Sequence, residues 1–129
     1  MRHGLVALMC LLLFTACGRS GEGVFHPQQW QDLEVTVEPR PAPPRPGMNE
    51  FLVIVSKRGI RPREDLVVSL RLAPDEPWHQ AIQDGDTGVF RKALRVRAGD
   101  RALQVRIRRS EKGEVGVLVF PFPGTGGAR

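Results

Sequence analysis

The chain has 129 residues, with 19 Lys and Arg against 14 Asp and Glu and two cysteines, giving a net charge of +5. That length holds one domain with a real core. Two cysteines are too few for a disulfide scaffold, and no apolar run is long enough to cross a bilayer as a helix.

The chain opens with a short positive start, Met1-Arg2-His3, followed by a leucine-rich stretch without formal charge from Gly4 to Ala16. As a helix this stretch rises about 20 Å, short of a ~30 Å hydrocarbon core. Residues 1–16 therefore have the make-up of an export signal. The stretch ends in Phe14-Thr15-Ala16-Cys17, which resembles the lipobox cut before a lipidated cysteine in bacterial lipoproteins. The resemblance implies a diacylglyceryl thioether on Cys17 and anchoring in a lipid bilayer. Two acyl chains at ~0.8 kcal/mol per buried CH₂ hold stably where one holds marginally. Gly18 replaces the aspartate that commonly retains such proteins at an inner membrane, which points to the periplasmic side of an outer membrane in a two-membrane envelope.

Removal of 1–16 leaves 113 residues with 18 basic and 14 acidic side chains. Cys10 leaves with the signal and Cys17 carries the lipid, so the remaining domain has no cysteine pair and must be held by packing. A modest positive charge outside the cytoplasm argues against nucleic acid as a partner. Anionic headgroups or an acidic protein surface fit it better.

Residues 17–32 are polar and read as the lipidated start and a tether. Leu33–Val37 alternates apolar and polar residues as a half-buried strand does. Residues 39–47 hold five prolines, which forbid helix and suit a stiff connector between strands. Phe51–Val55 is apolar throughout, as in a strand covered on both sides. Further strand patterns follow at Leu66–Leu72, Val89–Val96 (with Lys92 out of phase), Ala102–Arg108 and Val115–Phe120. Gly- and Asp-bearing turns separate them, and no segment has a sustained helical period. Six or seven short strands over 33–122 predict a two-sheet antiparallel β-sandwich, with an open barrel as the alternative. Residues 123–129 read as a disordered tail.

The order of a Pro-Gly entry at Pro46-Gly47, the strand Glu50–Val55, Gly88-Val89-Phe90 and Leu103-Gln104-Val105-Arg106-Ile107 resembles the YtkA-like/FixH-type domain of bacterial envelope proteins. The resemblance implies an immunoglobulin-like sandwich over roughly 35–120, with the Gly88 strand and the following strand closing a hairpin. It also raises copper handling or oxidase assembly as an alternative function. The corresponding stretch here, Ala73–Ile82, holds only His79 and no methionine.

Chemistry-bearing residues are sparse. His26, His79 and Met48 are scattered, so no metal site is assigned. Asp84-Gly85-Asp86-Thr87-Gly88 resembles a calcium loop, but its twelfth position is Arg95 rather than a bidentate acid, and a tight turn accounts for it. No serine lies in a Gly-x-Ser-x-Gly context, and Asp75, Glu76 and His79 beside prolines read as a solvated loop. No catalytic residue, cofactor or small-molecule substrate is assigned. Two features remain. Arg91, Arg95 and Arg97 on one strand and Arg106 and Arg108 on the next are expected to form one arginine face for an anionic partner. Trp78 and His79 form a candidate contact loop. The function expected is a non-enzymatic, membrane-anchored recognition module that binds another envelope component.

Overall fold

The computed structural model describes residues 24–62, 65–85, 88–110 and 113–124. Residues 1–16, expected to be an export signal, Cys17, Asp86, Thr87 and residues 125–129 lie outside the described residues.

The alternating segments form strands, as their period of two requires. In chain order these are β1 (Gln28–Trp30), β2 (Leu33–Arg40), β3 (Gly47–Ser56), β4 (Leu66–Arg71), β5 (His79–Gln80), β6 (Ile82–Gln83), β7 (Val89–Val96), β8 (Ala102–Arg109) and β9 (Val115–Pro121). Pairing is antiparallel throughout, and there is no helix among the described residues. One sheet has the order β1-β2-β3-β7-β6 and the other β5-β4-β8-β9. Without the short β1 and β5, the orders β2-β3-β7-β6 and β4-β8-β9 reproduce the four-plus-three arrangement of an immunoglobulin constant-type sandwich. The fold expected from the sequence is therefore observed, with nine strands in place of seven.

The inner faces bury Leu33, Val35 and Val37 of β2, Phe51, Val53 and Val55 of β3, Val68 and Leu70 of β4, Phe90 of β7, and Leu103, Val105 and Ile107 of β8. Each such side chain contributes about 1.5–3 kcal/mol when taken from water. No cysteine occurs after Cys17, so aromatic and branched side chains supply the contacts between the sheets. Phe122 stacks on Phe51 at 6.4 Å, and Phe25 meets Phe120 edge-on at 6.0 Å. β3 is central in its sheet, and its outward Leu52 is also buried, as its unbroken apolar run predicts.

One expectation changes at the N-terminal side. The stretch 17–32 is not all tether: Phe25 is buried in the core and β1 pairs with β2. Trp30 packs against the core and its indole lies over Gly116, where a Cβ would fall 2.1 Å from Nε1. The proline-rich stretch is the loop of the β2–β3 hairpin. Buried Asn49 fastens it: Nδ2 donates to the carbonyls of Arg45 (2.7 Å) and Gly47 (2.9 Å), and Oδ1 accepts from the Arg45 amide.

The segment after Trp78 crosses between sheets. β5 pairs with β4 in one sheet, Ala81 is buried, and β6 pairs with β7 in the other. The Ala81 amide bonds to the Val68 carbonyl at 2.8 Å. The β7–β8 connection also changes sheets, so β7 and β8 do not form a hairpin, contrary to the expectation carried by the family resemblance. The hairpin partner of β8 is β9.

Candidate functional site

Because β7 and β8 belong to different sheets, the single arginine face expected from the sequence does not exist. Alternation along each strand correctly places these arginines away from the core. The crossing then sends them to opposite sides of the sandwich.

On the β3–β7 side, positive charges are interspersed with acids. β2 and β3 contribute Glu34, Glu38 and Glu50. Arg91 is paired with Asp84 at 2.8 Å, and Arg40 lies 3.8 Å from Glu50. Arg95 stands opposite Met48 in the register and makes no ion pair among the described residues. Arg97, just past β7, is held by Glu76, and its amide bonds to the Asp100 carboxylate at 2.7 Å. These exposed pairs are worth ~0–1 kcal/mol each and leave a mixed, solvated surface.

The other face differs. The strands β4, β5, β8 and β9 contain no Asp or Glu. Their register places Arg71 opposite Gln104, Ser69 opposite Arg106, and Val67 opposite Arg108. β9 continues these rows with Val119, Val117 and Val115. All three valines are exposed, at 46–54 %. Arg71 donates through Nε to Gln104 Oε1 at 2.7 Å. The side chains of Arg106 and Arg108 make no hydrogen bond or ion pair among the described residues.

Trp78 joins this face. The guanidinium carbons of Arg71 and Arg106 lie 4.2 and 4.7 Å from its ring centroid. A cation over an indole gains about 0.5–2 kcal/mol, depending on desolvation. The half-buried indole thus aligns two arginines that would otherwise repel one another. His79, paired opposite the core residue Leu70, is half-buried at the sheet edge. Beside this group, Val67, Ser69, Gln80, Arg106, Arg108 and Val115 line a shallow depression of about 270 Å³.

The structure therefore brings together Trp78, Arg106 and Arg108 of the expected site and sets Arg91, Arg95 and Arg97 apart from them. Sequence reading missed Arg71, although its alternation with Leu70 and Leu72 already put it on the outer side. It also missed Arg109. That arginine is buried, with Asp32 as its ion partner and the Trp30 ring centroid 5.4 Å away. Asp32 also bonds Lys57 at 2.8 Å. Lys57 first and Arg109 second hold the Asp32 carboxyl well below the usual carboxylate range. This cluster ties the β1–β2 turn to the ends of β3 and β8, and it is structural.

No group of three or more His, Cys, Asp or Glu among the described residues is placed to hold a metal ion. His26 is exposed beside the Phe120–Pro123 end of β9. No family model matches the chain, and no curated protein or solved structure is significantly similar to it.

Proposed function

We propose that this chain is a lipid-anchored, non-enzymatic recognition module of the bacterial cell envelope that binds an anionic envelope component through the outer face of β4, β8 and β9. The anchor is Cys17, exposed by removal of 1–16, and the location is the periplasmic side of the outer membrane. The resemblance to YtkA-like/FixH-type domains accords with the fold only as an immunoglobulin-like sandwich, since the hairpin it implies between β7 and β8 is absent.

The observation that carries the binding face is the Arg71–Trp78–Arg106 stack beside Arg108 and a row of exposed valines, in a sheet whose strands hold no acid. Arginines side by side, with no ion pair for Arg106 and Arg108 among the described residues, raise the energy of the isolated sheet, and an anionic partner relieves it. Arginine and tryptophan are also the side chains that most often dominate binding energy.

Two measurements test the reading. Metabolic labelling with a radioactive fatty acid should mark the wild-type chain and not Cys17→Ala, and Cys17→Ala should leave the membrane fraction. A photo-crosslinking residue at Val117 should yield adducts in intact cells, while the same residue at Thr36 on the opposite face should not. Equal adducts at the two positions, or none at Val117, would refute the choice of face.

A further inference from the structure

The first described residues and the arginine–valine face meet at one edge of the sandwich. Phe25 is buried, so the fold includes the chain from the first described residues, Val24 and Phe25. Val24 and Phe25 line a depression together with Phe120, Pro121 and Pro123, at the end of β9. The Gln28 side chain donates to the Val119 carbonyl in the same strand at 2.6 Å. The chain thus enters the fold beside β9. Seven residue steps separate Cys17 from Val24, and at full extension they span at most about 25 Å. With Cys17 lipidated, β9 lies close to the bilayer surface.

The face that adjoins this entry has the chemistry of a membrane interface. Trp favours the headgroup level, Arg meets phosphate in a planar fork, and small apolar side chains tolerate shallow insertion. Arg71, Arg106 and Arg108 point outward from strands without an acid, and Val115, Val117 and Val119 border them. A protein partner would need roughly 800 Å² of matched surface on each side. A bilayer needs no such shape match and is already within reach.

We propose that the outer face of β4, β8 and β9 rests on anionic phospholipid headgroups of the membrane that holds the anchor. Arg106 and Arg108 meet phosphates, and Trp78 and the β9 valines lie at the headgroup level. This rests on the lipid-anchored reading above and names the occupant of its face. Short anchor and basic face together fix the orientation of the domain, with the β2–β3–β7 sheet turned to the aqueous side.

Residues 18–129 contain the whole core, from Phe25 to Phe122, and can be tested without the lipid. Sedimentation with phosphatidylglycerol vesicles should show binding that falls with added salt, and phosphatidylcholine vesicles should show little. Each arginine near an anionic surface is worth ~1 kcal/mol, so Arg106→Gln/Arg108→Gln should weaken binding about 25-fold. Arg91→Gln/Arg95→Gln, on the other face, should leave it within about threefold of wild type if only the first face touches lipid. Brominated phosphatidylglycerol should quench the tryptophan emission, and Trp78→Phe should remove most of that quenching. Failure to bind anionic vesicles, or equal loss in the two double variants, overturns the lipid assignment. Should the Val117 adducts in cells then carry protein or glycan, the recognition reading survives without it. Should Val117 yield no adduct either, both fall.

Discussion

Gly116→Ala gives a sharp test of how β1 is seated. Gly116 faces inward on β9, and an added methyl would sit 2.1 Å from Trp30 Nε1 and 2.3 Å from Cε2. No real carbon tolerates that distance, so the indole must leave. The ring is half-buried. An aromatic side chain buries 150–250 Å² when fully covered. Half of that, at ~25 cal/mol per Å², is about 2.5 kcal/mol. Overpacking penalties of about 1–3 kcal/mol agree with this figure. Gly116→Ala should therefore cost about 2 kcal/mol, with a Tm lower by roughly 10 °C for a domain of this size. Trp30→Ala should cost about the same, because it vacates the same contact. The double variant decides the matter. Once the indole is gone the methyl meets nothing, so the pair should cost little more than Trp30→Ala alone, a coupling of about 2 kcal/mol. Urea unfolding followed by far-UV circular dichroism measures all four proteins. Additive losses, or a neutral Gly116→Ala, would refute the seating of Trp30 and with it the inclusion of 24–32 in the domain.

Asp32 should set part of the acid stability. Its folded-state pKa lies below its ordinary value of 3.8, so its contribution is complete above that value and is lost as pH falls through the lower folded pKa. Chemical denaturation from pH 7 to pH 2 should show a roughly constant gap between wild type and Asp32→Asn above about pH 5 that narrows below about pH 4; a gap independent of pH would refute the pairing. Asn49→Ala should cost about 1–3 kcal/mol, because the carbonyls of Arg45 and Gly47 and the Arg45 amide lose their partner, and the midpoint of urea unfolding reports it. Gly88→Ala should cost a similar amount by the same assay, since φ is +68° and the new Cβ would lie 2.9 Å from the Val55 carbonyl oxygen.

Alternation made most of this fold legible. The runs at 33–37, 51–55, 66–72, 89–96, 102–108 and 115–120 all lie on observed strands, except for Leu72 just past β4, because a sheet with one buried face writes its period into the chain. β1 escaped notice because Gln28-Gln29-Trp30 is short and polar, and its attachment depends on Phe25 and on a glycine 86 positions after Trp30. β5 and β6 are two residues each, too short to show a period. The arginine face failed for a different reason. Period two tells inward from outward, but it does not say which sheet receives a strand. Arg97–Arg101, with Asp100 bonded back to Arg97, has the make-up of a tight hairpin turn. Only the strand order shows that it spans the two sheets. Trp78, read from the sequence as either a buried plug or a contact anchor, is half-buried beneath two arginines, and the place of Arg71 beside it follows from the β4–β5 pairing, which no local pattern announces.

The crossing at Ala81 and the position of β1 also bear on how copies of this domain would behave when crowded. An open sandwich has sheet edges with unpaired backbone groups, and such edges template polymerisation. Here the two residues of β5 and the two of β6 stand at one side, joined through a single buried alanine, too short for a second strand to zip along. At the other side, Gln28 occupies the Val119 carbonyl of β9. Molecules confined to two dimensions meet far more often than molecules in solution, and they share one orientation when they share one anchor. A long bare edge under those conditions would favour filaments. On the proposed lipid-anchored reading, the interrupted edges would let many copies of this domain stand side by side as separate units.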